Sequence, residues 1–395
     1  MTYDLGATSA YRDARTDFNA VPGTAADFAP SGIRNTNQYS AFAGLTLRQP
    51  LLKDLWMDSQ RQKILVDKKN LKISELTLRW QIMNTVAAVQ VAYYELISAS
   101  ENVRDQERFL EVASELLRET KRRVEVGDLP TLDEKHAESQ VETRQADLFV
   151  AKQDLAEKQN ALKVHITDDF KTWSDVDLQP AESLAAVEEI LDRNQSWQQA
   201  MDRRPDLMRF RTESDRQNIL VRYHHNQLFP SLDLLGGYGF RGVDDSFGDA
   251  VGDAPKNPAY SVGMVLTVPL GNRSARNNYN ASLVEKKQSE LLVKKMEQAV
   301  LAQVDNAIKL SQSAFRRVQS TRQAAEFAKT ALEVERKKLQ NGVSTSFIVL
   351  EYLDRLATAR AAQVRALADY NKALAQLALS EGNALEKNQL SVEVR

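Results

Sequence analysis

The stretch from Ser59 to Val126 contains neither proline nor glycine and repeats apolar residues every seven positions. Two seams carry this repeat, one of large side chains (Ile82, Val89, Leu96, Val103, Leu110, Leu117, Val124) and one of mostly small side chains (Leu78, Thr85, Ala92, Ala99, Gln106, Ala113, Thr120). Sustained heptads are typical of helices that pack in a left-handed supercoil. At 1.5 Å per residue the helix would be on the order of 100 Å long, more than a globular core requires.

The long helix is expected to end in a tight turn. Gly127 can adopt the left-handed conformation that ends a helix, Pro130 cannot continue one, and Thr131 can cap the next helix. Asp133 would interact favourably with the N-terminal dipole of that helix. We therefore predict a return helix over about 132–165, which forms an antiparallel hairpin with the first.

Residues 1–50 have the two-residue period of β-strands, interrupted by a polar loop over 13–37. Two more alternating runs follow near residues 232–240 and 262–268. In each run alternate side chains are expected to share a face, as in Tyr3, Leu5, Ala7, Ser9 and Tyr11; Tyr39, Ala41, Ala43, Leu45 and Leu47; Leu232, Leu234, Gly236, Tyr238 and Phe240; and Val262, Met264, Leu266 and Val268. Gly237 falls on the opposite face of its strand.

The chain contains an internal duplication of the unit helix, strand, strand, long helix, turn, helix. At an offset of 215 residues, Gly127 meets Gly342 and the basic run 121–123 meets 336–338. The second half is predicted to have a long helix over about 274–340 and a return helix to about Leu379.

A further helix, over about 184–227 with a break near Arg204-Pro205, is predicted before the second strand pair. The first strand pair begins at Met1 with no such helix before it. We therefore expect that an N-terminal truncation removed the first helix and any signal sequence.

Composition argues against several classes of function. The 52 Lys and Arg residues balance 54 Asp and Glu residues, so the basic footprint of a nucleic-acid-binding protein is absent. The chain has no cysteine and four histidines, and it shows no nucleophile, phosphate loop or metal-ligand spacing. We expect no enzymatic activity, cofactor, metal or nucleic-acid partner.

No stretch approaches the ~18 to 20 apolar residues of a membrane helix, but spanning β-strands need only ~9 to 11 alternating residues. Four strands cannot close on themselves, because about eight strands make the smallest common barrel. The sequence therefore predicts a barrel shared between chains. Pro50, Pro230 and Pro269 mark the expected junctions between strands and helices.

The order and spacing of several motifs resemble the TolC family of outer-membrane channel proteins over essentially the whole chain. The motifs are 45–52 (LTLRQPLL), Ala92-Tyr93-Tyr94, Arg204-Pro205-Asp206-Leu207, 228–232 (LFPSL), Val268-Pro269-Leu270, Val126-Gly127 and Asn341-Gly342. The resemblance implies a mainly α fold with a small β part. Long coiled-coil hairpins would form an α-barrel, and four antiparallel strands would join a shared trimeric transmembrane β-barrel.

The same resemblance implies a passive exit duct of a tripartite efflux or type I secretion system, for small molecules or proteins. The implied location is the outer membrane of a Gram-negative-type bacterium, with a long periplasmic part. The implied partners are two further copies in a homotrimer, a periplasmic adaptor (membrane fusion) protein, an inner-membrane transporter reached through it, and outer-membrane lipid.

On this basis we divide the chain into seven segments. They are a first strand pair (1–52), a first long helical hairpin (53–167), a linker or equatorial segment (168–183), a helix leading to the second strand pair (184–229), that strand pair (230–270), a second long helical hairpin (271–380) and a C-terminal tail (381–395).

Two groups of residues are candidates for function by the same resemblance. The two turns would form periplasmic tips that contact an adaptor: Gly127, Asp128, Leu129, Pro130, Thr131, Asn341, Gly342, Val343, Ser344 and Thr345. A constriction would carry Glu351, Asp354 and Asp133, with Glu351 in the position of a gating aspartate and its copies forming a cation-selecting ring. Ile348 departs from the family pattern, in which another acidic residue often occurs.

Simpler interpretations also exist for both groups and for the strand-end aromatic residues. A helical hairpin needs such turn residues for its conformation alone, and Glu351 also fits a solvated helix face. Ordinary β-propensity competes with an interfacial girdle for the aromatic residues Tyr3, Tyr11, Tyr39, Tyr238, Phe240 and Tyr260.

Two other classes of protein also contain long helices. A soluble coiled-coil scaffold accounts for the heptads but leaves the strands and the duplication unexplained. A periplasmic adaptor has one long hairpin, whereas this sequence predicts two.

Overall fold

The computed structural model describes residues 2–17 and 33–391 of the chain. Within these residues the helices are α1 (Ser59–Glu125), α2 (Thr131–Ile166), α3 (Phe170–Trp173), α4 (Arg193–Arg203), α5 (Pro205–Asn226), α6 (Phe247–Asp253), α7 (Arg273–Gln340), α8 (Ser346–Glu381) and α9 (Ala384–Lys387). The strands are β1 (Thr2–Asp17), β2 (Ile33–Pro50), β3 (Ser231–Asp244) and β4 (Pro258–Thr267).

The predicted long helices and return helices are confirmed to within about two residues, but two other expectations are wrong. The helix expected from about Leu184 begins at Arg193, where Asp192 caps it by accepting a hydrogen bond from the Asn194 amide. Residues 13–17 and 33–37, expected in a loop, continue β1 and β2. Their backbones pair across the hairpin in register, and that pairing does not depend on apolar side chains. The rest of the expected loop, 18–32, lies outside the described residues.

One compact unit comprises residues 1–70 and 213–290 and contains the sheet. The four strands are antiparallel in the order β1-β2-β3-β4. Leu45 pairs with Leu5 on one side and Tyr238 on the other, and Leu234 pairs with Met264. Because directly paired residues point to the same face, the faces expected for the separate strands join into one apolar face.

This apolar face is exposed in the single chain, with Leu5 at 87%, Tyr260 at 84% and Val262 at 83% of full exposure. The other face carries glycine and polar side chains such as Gly44, Thr46, Gly237 and Arg241. Contiguous exposed apolar surface marks a contact with another protein or with a membrane.

The second unit comprises residues 71–212 and 291–395, and its core is helical. In α1 the predicted seam residues Leu96, Ala99, Val103, Ala113 and Thr120 are buried, whereas Leu78 is exposed. Leu76, Met83, Ile97, Phe109 and Leu116, which lie off the predicted seams, are also buried. The buried stripe is wider than a two-position seam because α1 meets several helices rather than one.

The motif Arg204-Pro205-Asp206-Leu207 separates α4 from α5, and its arginine is buried in the second unit. The Arg204 guanidinium donates to Asp206 at 2.6 and 3.0 Å, to Gln303 at 2.8 Å and to the Ser380 carbonyl, and it lies over the Trp80 ring. Gly382, which ends α8 with φ = 77°, approaches the Arg204 backbone so closely that a Cβ there would lie 3.0 Å from the Arg204 nitrogen. The motif therefore joins α4, α7 and the end of α8.

None of the helices within the described ranges is both long enough and apolar enough to cross a membrane.

Candidate functional site

The first tip is a tight helix ending in which Gly127 has φ = 85°. Its amide donates to the Val124 carbonyl at 3.0 Å, and the Asp128 amide donates to the Arg123 carbonyl at 2.8 Å. These two bonds form the Schellman motif that satisfies the last carbonyls of α1. The prediction that Thr131 caps α2 is wrong, because α2 already includes Thr131 and the capping position is Pro130, which has no side-chain acceptor.

The second tip repeats this geometry and adds side-chain bonds. Gly342 has φ = 75°, and the Val343 amide donates to the Lys338 carbonyl at 2.9 Å. Here Thr345 does cap the following helix, accepting from the Ile348 amide. The Ser344 hydroxyl donates a hydrogen bond to Glu335. This bond, together with the bond from Lys338, lowers the pKa of the Glu335 carboxyl. The two tips therefore share a backbone design and differ in side-chain bonding.

The two hairpins contact each other just behind their tips. The Thr120 hydroxyl of α1 donates to the Ser346 hydroxyl of α8 at 3.1 Å, and both residues are buried. The Phe347 ring lies edge-on to His136 of α2, with 5.6 Å between ring centroids. One apolar cluster joins all four helices: Phe109, Ala113, Leu116, Ala137, Leu332, Leu339, Val349, Leu350, Leu353 and Ala357.

Sequence reasoning missed that large apolar side chains are exposed at both tips. Leu132 is 64% exposed and Phe347 is 52% exposed, and the two correspond at the offset of 215 residues. Val126 and Val343, one beside each turn glycine, are also exposed. The internal duplication is the sequence signal that could identify this pair. The start of a helix requires no exposed apolar residue, yet both halves have one at the same position.

The three constriction candidates have different surroundings. Glu351 is ion-paired with Arg355 on its own helix at 2.7 Å. Asp354 accepts from Arg144 of α2 at 2.6 Å, and Arg144 is itself buried. Asp133 lies in the first turn of α2, as predicted. No local sequence pattern indicates a role for Arg144, since its partner lies 210 residues away on another hairpin.

Farther along the same unit, three helices are joined by charged side chains. Lys372 of α8 donates to Glu95 of α1 and lies 2.8 Å from Asp369, which also pairs with Arg317 of α7. Burial would raise the pKa of Glu95 and of Asp369, but the bonds from Lys372 and the neighbouring cations lower both overall. Burial would lower the pKa of Lys372, but its two carboxylate partners raise it overall.

These shifts predict a loss of stability in acid. A carboxyl whose pKa is lowered by folding stabilises the protein above its ordinary pKa of about 4 and loses this effect as the pH falls through the lowered value. Lys372, whose pKa is raised, stays charged over this range and contributes no change. We expect the thermal midpoint of the purified protein to fall between about pH 5 and pH 3.

The Glu95→Gln variant should show a smaller fall over the same range, because glutamine does not titrate. Glu111→Gln, which removes an exposed carboxyl from the same helix, is the control. Equal acid sensitivity in both variants and the wild type would contradict this assignment.

A family model described as "Outer membrane efflux protein" matches residues 4–166 and 197–383. No curated protein matches the sequence significantly.

Several solved structures are similar over almost the whole chain. The outer-membrane channel OprN has a TM-score of 0.74 at 17% identity, covering 97% of this chain and 81% of that one. The Campylobacter jejuni CmeC outer membrane channel has a TM-score of 0.70 at 16% identity, covering 98% and 80%. The Vibrio cholerae outer membrane protein VceC has a TM-score of 0.70 at 16% identity, covering 96% and 87%. These similarities establish the fold.

Proposed function

The chain belongs to the outer membrane efflux protein family, and from that premise we propose that three copies assemble into a passive exit duct that catalyses no reaction. The chain is an outer-membrane channel protein of efflux systems, with a large periplasmic helical part. The observation that best supports the assignment as an efflux channel protein is the match of the family model to both halves of the duplication.

The arrangement of the sheet supports a shared barrel. β1 and β4 are the two edge strands, so each leaves one backbone edge without a partner strand among the described residues. Unpaired backbone groups are too costly in the hydrocarbon region of a bilayer, where only closed sheets are stable. Three chains of four strands would close a barrel of twelve, with its apolar face toward lipid and its glycine-rich polar face toward water.

The exposed apolar residues at the tips support a second part of the proposal. The tips contact a periplasmic adaptor, through which an inner-membrane transporter drives export. Leu132 and Phe347 supply surface that is exposed in the single chain and repeated in both hairpins. Burying such a side chain against a partner is worth about 1.5–3 kcal/mol, enough for a tenfold or greater effect on affinity.

The experiment replaces Leu132 with aspartate in the native host. We expect the variant to form trimers and reach the outer membrane, but to raise the accumulation of exported compounds about tenfold, because the contact loses apolar burial and gains a charge. Val150→Asp is the matched control, since Val150 lies on the same helix, is 67% exposed and is far from the tip. Normal export by Leu132→Asp and by Phe347→Asp would rule out the tips as the docking site.

We also propose that Glu351 lines the closed end of the duct. If three copies converge, their negative charge will attract cations in a narrow passage. Glu351→Gln should then lower cation over anion permeability by a factor of at least about two, measured on single channels in a planar bilayer. Asp354→Asn should have a smaller effect of the same sign. The Arg144 partner of Asp354 is buried and held in place, whereas the Arg355 partner of Glu351 is exposed to water.

Glu157→Gln is the control for this measurement, since it removes an exposed carboxyl distant from the tips. If Glu351→Gln conducts with unchanged selectivity, Glu351 belongs to a solvated helix face.

A further inference from the structure

An apolar groove lies between α6 and the sheet in the first unit. Its volume is about 420 Å³, within the usual range for ligand pockets. The floor is formed by small side chains of β1 and β2, and the walls by larger apolar side chains of β3 and α6. The residues that carry the argument are Ala7, Ala41, Ala43, Phe240, Phe247 and Val251.

The groove opens on the apolar face of the sheet. Ala43 pairs with Ala7 and with Phe240, so all three point to the same side as Leu5 and Tyr238. Helix α6 lies over this face, because a Cβ on Gly242, which pairs with Ala41, would collide with the Ala250 carbonyl at 1.7 Å. The groove is therefore continuous with the surface that we propose faces lipid.

The wall formed by α6 is held in place without any ligand. Ser246 caps the helix by accepting from the Asp249 amide. Ala250 is fully buried against the sheet. After the helix, the Asn257 carbonyl accepts from the Arg241 amide at 3.0 Å, and the Asn257 side-chain amide donates to the Asp253 backbone carbonyl at 3.2 Å. A preformed groove binds at a lower entropic cost than one that must be ordered.

The chemistry of the groove matches an alkyl chain. The residues that line it are aliphatic or aromatic, apart from Thr8 and Ser9. A second cavity on the opposite face of the same strands is lined by Thr8, Ser40, Phe42 and Arg241. A polar or charged ligand would favour that second cavity, where hydrogen bonds are available, whereas an alkyl chain needs none.

The position of the groove indicates which lipid leaflet supplies the chain. In this unit β3 follows α5 and β4 leads to α7, so α6 lies at the end of the sheet opposite these helices. If the helices lead into the periplasm, α6 lies in the outer leaflet. Tyr11 and Tyr39, with 4.9 Å between ring centroids, lie at the same end, as aromatic residues do at a membrane interface.

We propose that this groove binds one acyl chain of the outer-leaflet glycolipid, lipopolysaccharide, so that α6 and the sheet hold a specific lipid rather than a fluid annulus. The inference rests on the proposed orientation of the sheet in the membrane.

The test counts the fatty-acyl chains that remain with trimers purified from outer membranes in mild detergent. Ala7→Phe fills the floor of the groove, and Val251→Asp places a carboxylate in its wall without touching the sheet. Both should lose at least half of the retained chains. Leu5→Phe introduces the same aromatic side chain on the same face and strand outside the groove. It should retain as many chains as the wild type, namely the several chains of about one lipopolysaccharide molecule per polypeptide.

The chemical identity of the retained fatty-acyl chains shows which lipid occupies the groove. Hydroxylated fatty acids, which belong to lipopolysaccharide, support the proposal, and unhydroxylated phospholipid chains alone would overturn the assignment to the outer leaflet. Loss of the trimer in Ala7→Phe, with full retention in Val251→Asp, would show that a neighbouring copy fills the groove and would overturn the proposal. If wild-type trimers are found in the outer membrane but retain no chain, this inference fails while the proposed function stands.

Discussion

Replacing Arg204 with alanine will destabilise the protein by about 3–5 kcal/mol, because the change leaves the buried Asp206 carboxylate without its cation. Only 2% of the Arg204 side chain is exposed, so water cannot take the place of the lost hydrogen bonds. The bonds to Gln303 and to the Ser380 carbonyl are lost as well. The measurement is the free energy of unfolding of the purified protein in detergent by urea titration.

Arg203→Ala is the matched control for this prediction. Arg203 is the preceding residue and also forms an ion pair, with Glu386, but both side chains are about half exposed. An exposed pair contributes no more than about 1 kcal/mol. If the two variants lose the same stability, the buried cluster does not anchor the end of α8 as we infer.

Placing arginine at Val262 will abolish most of the proposed trimer in the outer membrane. Val262 lies midway along β4 on its apolar face, is 83% exposed and is paired with Gly236. An arginine facing lipid near the bilayer midplane costs about 2–4 kcal/mol, and a trimer incurs this cost three times. The measurement is the amount of trimer recovered from outer-membrane fractions.

The control for Val262→Arg is arginine on the opposite face of the same strand. Gly237, the opposite-face position singled out from the sequence, is poorly suited, because a Cβ there would lie 2.7 Å from the Ser261 hydroxyl oxygen. Gly263 on β4 has open space instead, with no atom within 4 Å of an added Cβ. Gly263→Arg should assemble nearly normally, and equal losses for both variants would argue against a lipid-facing sheet.

Local patterns predicted the long helices and the strands well, because each depends on residues close in sequence. The period of seven in α1 and the period of two in β3 indicate which side chains share one face of the element. The predicted start of α4 is wrong because residues 184–191 are of types that favour a helix but form none in the structure. The helix begins only after its cap at Asp192, which the sequence pattern does not single out.

The candidate site was harder to predict where it depends on distant parts of the chain. The turn glycines were identified because a positive φ favours glycine whatever surrounds it. The pairing of Asp354 with Arg144, and of Ser346 with Thr120, joins residues more than 200 positions apart. No local pattern encodes such pairs, so they become visible only when the hairpins are brought together.

The unequal capping of the two tips limits the symmetry of the duct's inner end. In the trimer that we propose, three chains present six hairpin ends, and the duplication makes their backbones nearly equivalent. Every second end, however, begins its return helix with the Thr345 cap and the Ser344–Glu335 bond, while the ends between them begin at Pro130 with no side-chain cap. A partner that binds around the proposed ring of tips would therefore meet a threefold alternation of firmer and looser ends rather than a sixfold repeat.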